Sequence, residues 1–73
     1  MNDLAARKFQ DALKEKLEFD DEKKEMTYEL GRVYEAMGKR TDAIDQYKLI
    51  YEADIGYRDV AAKVDAYYSA GGT

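Results

Sequence analysis

The chain has 73 residues, a formal net charge of −4 and a pI near 4.7, and it contains no Cys, His, Pro or Trp. A net negative surface repels the phosphates of nucleic acids and of anionic lipids, so neither is an expected partner. Without Cys and His there is no disulfide and no thiolate or imidazole ligand for zinc, and one core of this size supplies only about 3–5 kcal/mol.

Targeting and membrane segments are not evident in the sequence. No apolar run approaches the roughly 20 residues of a membrane span, and charged residues begin at Asp3. The sequence does not determine the compartment, for which the cytoplasm is only the default, and no membrane partner is expected.

Apolar residues recur three and four positions apart along the whole chain, and no stretch alternates with the period of two that a strand needs. The pattern predicts an all-α domain with helices at about 3–18, 21–37, 41–53 and 57–69. The residues predicted to face the core are Leu4, Ala5, Phe9, Ala12, Leu13 and Leu17, then Met26, Leu30, Val33, Tyr34 and Met37, then Ala43, Ile44, Tyr47, Ile50 and Tyr51, and last Val60, Ala61, Val64, Tyr67 and Tyr68.

Three consecutive acidic residues, Asp20, Asp21 and Glu22, stand where the second helix is predicted to begin. Side-chain oxygens at that position cap the free backbone amides and complement the helix dipole. A cation site is the alternative, but no further oxygen ligands follow at the spacing of a calcium loop. The three residues are therefore predicted to cap the helix.

The remaining helix boundaries are marked by glycine and by one threonine. Gly38 is predicted to end the second helix in a left-handed conformation, and Thr41 is predicted to be the N-cap of the third. Gly56 breaks the chain before the fourth helix, and the pair at 71–72 ends it.

The second and third helices resemble the tetratricopeptide repeat, whose pattern of W-x2-L-G-x2-Y, A-x3-F and P extends over 34 residues. The positions that match at the corresponding offsets are Leu30, Gly31, Tyr34, Gly38 and Ala43. The positions that depart from the pattern are Tyr47 for Phe, Thr27 for Trp and Ile55 for Pro. The resemblance implies a fragment of a right-handed α-solenoid built from antiparallel helical hairpins.

The resemblance continues on both sides of this hairpin. Adding 34 to Leu30, Gly31 and Tyr34 gives Val64, Asp65 and Tyr68, so the fourth helix resembles the start of a following repeat. Ala5-x3-Phe9-x2-Ala12 resembles the second helix of a preceding repeat, although the link after it is about four residues too long. The chain then divides into 1–20 (second helix of a preceding repeat, with its linker), 21–55 (a complete repeat), 56–70 (a capping helix) and 71–73 (a tail), as expected for the C-terminal end of a longer array.

Two positions carry physical predictions from this alignment. Gly31 costs about 1 kcal/mol relative to Ala in a helix, and we expect it to let its helix approach the next one opposite Ala43. Asp65 stands at the equivalent position, where a buried and unpaired carboxylate would cost several kcal/mol. We therefore expect the fourth helix to expose Asp65 to solvent as a terminal cap.

Catalysis is not expected. The chain has no His for proton transfer, no Cys nucleophile and no glycine-rich phosphate loop, and its Asp and Glu residues are scattered over the predicted helix faces. No motif indicates a cofactor or a metal ion.

The resemblance instead implies a module that binds a peptide or a protein surface on the concave face formed by the first helix of each repeat. A stripe at intervals of three and four is predicted to line that face: Glu25, Tyr28, Arg32, Glu35 and Lys39. Its continuation on the fourth helix is Asp59, Ala62, Ala66 and Ser69. The alternative is a solvated face with no ligand.

Family members that clamp an acidic C-terminal peptide use several Lys, Arg and Asn residues, and the stripe offers only Arg32 and Lys39, so that ligand is not expected. The alternative function is structural, as a self-associating helical segment that forms a weak homodimer. Leu49 is the candidate contact, because it lies among polar residues on the face of the third helix that is predicted to be convex. A lone exposed leucine without a partner is the other interpretation.

Overall fold

The computed structural model describes residues 2–14 and 19–71. This part of the chain contains four helices and no strand: α1 (Asn2–Lys14), α2 (Asp21–Ala36), α3 (Arg40–Ala53) and α4 (Val60–Ser69). The prediction of an all-α fold with four helices is confirmed. The predicted end of the first helix at 18, the core position Leu17 and most of the 71–73 tail lie outside the described residues.

The helices pack in chain order. α1 packs against α2, α2 against α3, and α3 against α4. Only three residues, 37–39, separate α2 from α3, so these two helices form an antiparallel hairpin. Within 2–14 and 19–71 no other pair of helices packs closely, although side chains of α2 and α4 meet in the Glu35–Lys63 ion pair.

Aliphatic residues and tyrosines form one core that extends over all four helices. The fully buried side chains include Leu30, Tyr47, Ile50 and Val60, and Thr27 is buried with its hydroxyl donating to the Lys23 carbonyl at 2.7 Å. The third helix buries the face that its spacing predicts, which leaves Leu49 on the outside. Leu, Ile and Tyr at these positions remove their apolar surface from water, at about 25 cal/mol per Å².

Two of the predicted helix signals are confirmed and one is wrong. The Asp20 side chain accepts a hydrogen bond of 2.9 Å from the Lys23 amide at the start of α2, and Gly38 has a φ of +77° after the end of α2. Thr41 does not cap α3, because the helix already begins at Arg40. The Thr41 hydroxyl instead hydrogen-bonds the hydroxyl of Tyr67 in α4, at 3.1 Å.

The fourth helix begins at Val60 rather than at 57. The preceding residues turn twice, with the Tyr57 amide donating to the Asp54 carbonyl and the Val60 amide donating to the Tyr57 carbonyl. Arg58 has a φ of +44°, in the left-handed region that a regular helix does not use. This turn places the Tyr57 ring 6.2 Å from that of Tyr28, a contact that sequence periodicity does not reveal.

Two residues predicted to be in the core are exposed, namely Leu4 in α1 and Tyr68 in α4. Both lie on terminal helices, each of which has a neighbour on one side only. An apolar position on such a helix is buried only if it faces that neighbour.

Candidate interaction groove between helices α2 and α4

An open groove of about 230 Å³ lies between α2 and α4, with α3 beneath it. It exists because α4 packs on α3 and, in the described part of the chain, reaches α2 through side chains such as Lys63 rather than by close helix packing. The lining residues are Glu35 from α2, Arg40, Ala43, Ile44 and Tyr47 from α3, and Lys63, Ala66 and Tyr67 from α4.

The wall of the groove at α2 depends on Gly31. A Cβ atom at this position would lie 2.6 Å from Cε1 and 2.8 Å from Cζ of the Tyr47 ring. The predicted close approach is therefore present, but its nearest neighbour is Tyr47 and not Ala43. Glycine is required because the aromatic ring occupies the space of its missing side chain.

Glu35 joins α2 to both other walls of the groove. Its carboxylate accepts a hydrogen bond from the Tyr47 hydroxyl, and it accepts another from Lys63 Nζ at 3.1 Å. Lys63 also lies 5.2 Å from the centre of the Tyr47 ring. Burial raises the pKa of Tyr47 well above its usual value, and the hydrogen bond to Glu35 raises it further. The phenol therefore remains a neutral donor.

Arg40 is the second cation of the groove. Its guanidinium lies 5.7 Å from the centre of the Tyr67 ring, and it forms no ion pair with any residue in 2–14 or 19–71. The groove thus contains two cations, Arg40 and Lys63, and one carboxylate, Glu35, which is already bound. Its surface favours a partner with acceptor atoms and apolar groups.

Tyr28 lies deeper than the sequence predicted. It is 8% exposed, and its hydroxyl donates to Asp59 at 2.6 Å. Burial, with help from this hydrogen bond, raises the pKa of Tyr28 to about 12, while the same bond lowers the pKa of Asp59. Arg58 covers the ring at 5.0 Å. Tyr28 therefore joins α2 to the turn before α4 and offers no open face to a partner.

The other members of the predicted stripe do not converge with Glu35. Arg32 is exposed and pairs with Glu29 at 3.5 Å. Glu25 lies beside a different hollow, between α1 and α2, and Lys39 beside a third one. The four positions predicted to continue the stripe (Asp59, just before α4, and Ala62, Ala66 and Ser69 on it) are all exposed, and of these Ala66 lines the groove.

The sequence predicted two of the eight groove residues, Glu35 and Ala66, for the binding face. Arg40 and Lys63 were not predicted at all, and Ala43, Ile44, Tyr47 and Tyr67 were assigned to the core alone. Tyr67 was assigned to the core, and it lies there with one edge on the groove. Arg40 and Lys63 carry no signal in the sequence, because their proximity depends on the pairing of α3 with α4. Leu49 is 49% exposed on the outer face of α3, away from these residues.

In the described part of the chain no three Asp or Glu residues are arranged to hold a metal ion, at the start of α2 or elsewhere. None of the four helices has the length and apolar character needed to cross a bilayer.

The fold and the groove define an all-α protein whose described helices stack in chain order and leave an open groove between α2 and α4. No family model matches the chain, and neither a curated protein nor a solved structure matches it.

Proposed function

We propose that this protein is a tetratricopeptide-type interaction module that binds a peptide or protein surface in the groove between α2 and α4. The proposed function is binding and does not include catalysis. The observation that carries it is the groove itself, an open concavity on α3 lined by two tyrosines and by the Arg40 guanidinium, which forms no ion pair within 2–14 and 19–71. Arg side chains and tyrosine edges contribute much of the affinity at protein interfaces.

The internal repetition of the chain supports the repeat-type fold in this proposal. Leu30, Gly31, Tyr34 and Tyr47 lie in and around the α2–α3 contact, where the family pattern has its packing residues. Stacking of such hairpins would give a right-handed α-solenoid, with α4 as its terminal helix. The exposure of Asp65 is compatible with that terminal position.

A selection from random peptides displayed on phage, with the purified chain as bait, tests the groove. Ala66→Glu places a carboxylate in the groove that Arg40 and Lys63 line, where it competes with the acceptor groups of a partner, and glutamate keeps good helix propensity. Selected peptides should bind this variant at least about tenfold more weakly than the parent. Ala53→Glu is the matched control, because Ala53 is exposed at the end of α3 and does not line the groove. Peptides that bind Ala66→Glu and the parent equally would contradict the proposal.

Self-association through the outer face of α3 is the second candidate function, and the exposure of Leu49 favours it. Leu49→Glu should then lower the dimer population in sedimentation velocity while the circular dichroism of the monomer stays constant. A parent chain that is monomeric at every concentration favours the binding module instead.

A further inference from the structure

The two ends of the helix stack each present an open helix face. Among the described residues, α1 packs against α2 alone and α4 packs against α3 alone, whereas both central helices have a neighbour on each side. The open faces of α1 and α4 therefore correspond to faces that are buried on the central helices.

The internal repetition identifies what each open face corresponds to. Positions in α1 correspond to positions 38 later in α3, and positions in α2 to positions 34 later in α4. One contact recurs at these separations: Gln10 donates a hydrogen bond to the Tyr34 hydroxyl, and Lys48 lies 5.6 Å from the centre of the Tyr68 ring. The α1–α2 pair and the α3–α4 pair thus share one register.

The open face of α4 corresponds to a buried face of α2. Tyr28 and Gly31 are buried in α2 against Tyr47 of α3, and their counterparts in α4, Ala62 and Asp65, are exposed. Tyr28 is 8% exposed, and its ring lies 5.5 Å from that of Tyr47. The face of α4 that lacks a covering helix is therefore equivalent to the face of α2 that α3 covers.

The open face of α1 corresponds in the same way to a buried face of α3. Ala43 and Tyr47 are each 1% exposed in α3, where Tyr47 lies against Gly31. Their counterparts in α1, Ala5 and Phe9, are only half-buried. α1 therefore presents a small residue and an aromatic ring at the spacing with which α3 covers α2.

We propose that these two faces are the halves of an interface between copies of this chain, in which α1 of a second copy covers α4 as α3 covers α2. The faces lie at opposite ends of the stack, so the contact is head-to-tail and each bound copy leaves a new face open. This interface is distinct from the groove and from Leu49. Association through it depends neither on a ligand in the groove nor on the Leu49 side chain.

Asp65 keeps this interface weak. It occupies the position of Gly31, where the missing side chain makes room for an aromatic ring. Phe9 of the second copy would have to pack on the Asp65 carboxylate, which would lose water without gaining a partner. Asp65 therefore raises the concentration that the parent chain needs for association. Charged residues at other exposed edges oppose association in the same way.

Asp65→Gly tests the proposal in sedimentation velocity across a concentration series. The variant should associate at least about tenfold more tightly than the parent, with a mass that continues to rise beyond two copies. Asp65→Ala, which keeps good helix propensity, should lie between the two. Asp45→Gly is the matched control, because it removes an exposed Asp and adds the same helix penalty on α3.

A mixing experiment separates the two faces. Asp65→Gly combined with Ala5→Glu leaves only the α4 face competent, and the parent chain offers only its α1 face. Neither should associate alone, and an equimolar mixture should form dimers of one copy of each. Leu49→Glu in the Asp65→Gly chain should leave association unchanged.

The proposal is overturned if Asp65→Gly has the same mass as Asp45→Gly while both retain the helix content of the parent. It is also overturned if Asp65→Gly stops at two copies and the mixture forms no dimer, because that pattern indicates a symmetric contact elsewhere.

Discussion

Tyr47 links three of the four helices through one side chain. Its ring covers Gly31 of α2 and lies 5.5 Å from the ring of Tyr28, its hydroxyl donates to Glu35, and Lys63 of α4 covers its other face. A buried tyrosine needs both an apolar site and an acceptor, and here α2 supplies both. The residue that shapes the groove therefore also holds the hairpin together.

Replacing Gly31 by leucine should destabilise the fold, although leucine is the better helix former. Even a single Cβ would lie 2.6 Å from the ring of Tyr47, which its hydrogen bond to Glu35 holds in place. We expect Gly31→Leu to lose about 1–3 kcal/mol of unfolding free energy, measured by chemical denaturation.

Arg32→Leu is the control, since it puts the same side chain at the next, exposed position of α2. It should stay within about 0.5 kcal/mol of the parent. If both leucine variants have equal stability, the close packing of Tyr47 on Gly31 is not important for folding.

At the scale of the elements, the ends of the helices are held by side chains rather than by long loops. Asp20 caps α2, and Lys24 in its first turns binds Asp54 after α3 at 3.2 Å, which raises the pKa of Lys24. Tyr28 holds Asp59 before α4. The start of α2 is thus the point at which the α3–α4 turn is anchored.

Asp20→Ala should cost about 1 kcal/mol, because the Lys23 amide loses its acceptor. Asp20→Asn keeps a side-chain oxygen at the same position and should lose only a few tenths of this amount. Thermal melts followed by circular dichroism measure both. Equal losses in the two variants would assign the effect to charge instead of capping.

At the scale of the whole molecule, buried tyrosines make the fold sensitive to alkaline pH. The pKa of Tyr28 is about 12 in the folded state, against about 10 for an unperturbed tyrosine. Between these values the unfolded chain releases the proton while the folded chain keeps it. The unfolded state then binds fewer protons, so the free energy of unfolding falls as pH rises above about 10.

Tyr28→Phe should flatten this alkaline loss. At neutral pH it removes the hydrogen bond to Asp59, at a cost of about 0.5–1.5 kcal/mol. From about pH 9 to 11 the variant should lose roughly 1 kcal/mol less than the parent, since it has one fewer buried phenol to ionise. Urea denaturation at each pH gives both values. Parallel pH profiles would show that Tyr28 ionises equally in the folded and unfolded chains.

The glycines and capping residues show which helix ends can be predicted from neighbouring residues alone. Asp20 and Gly38 mark real helix ends because capping and left-handed turns act within a few residues. Thr41 was misassigned as a cap, because a hydroxyl has the same local signal whether it binds its own helix or a side chain from another.

The sequence by itself determined that the protein is all-α, where α2 and α3 lie, and which face of α3 is inside, since helical periodicity is a property of each segment. Only the tertiary structure decided that Tyr47 and not Ala43 covers Gly31, that Tyr28 is buried and that Arg40 and Lys63 share the groove with Glu35. These contacts join residues from different helices. Their geometry depends on how the helices pack, which no single segment encodes.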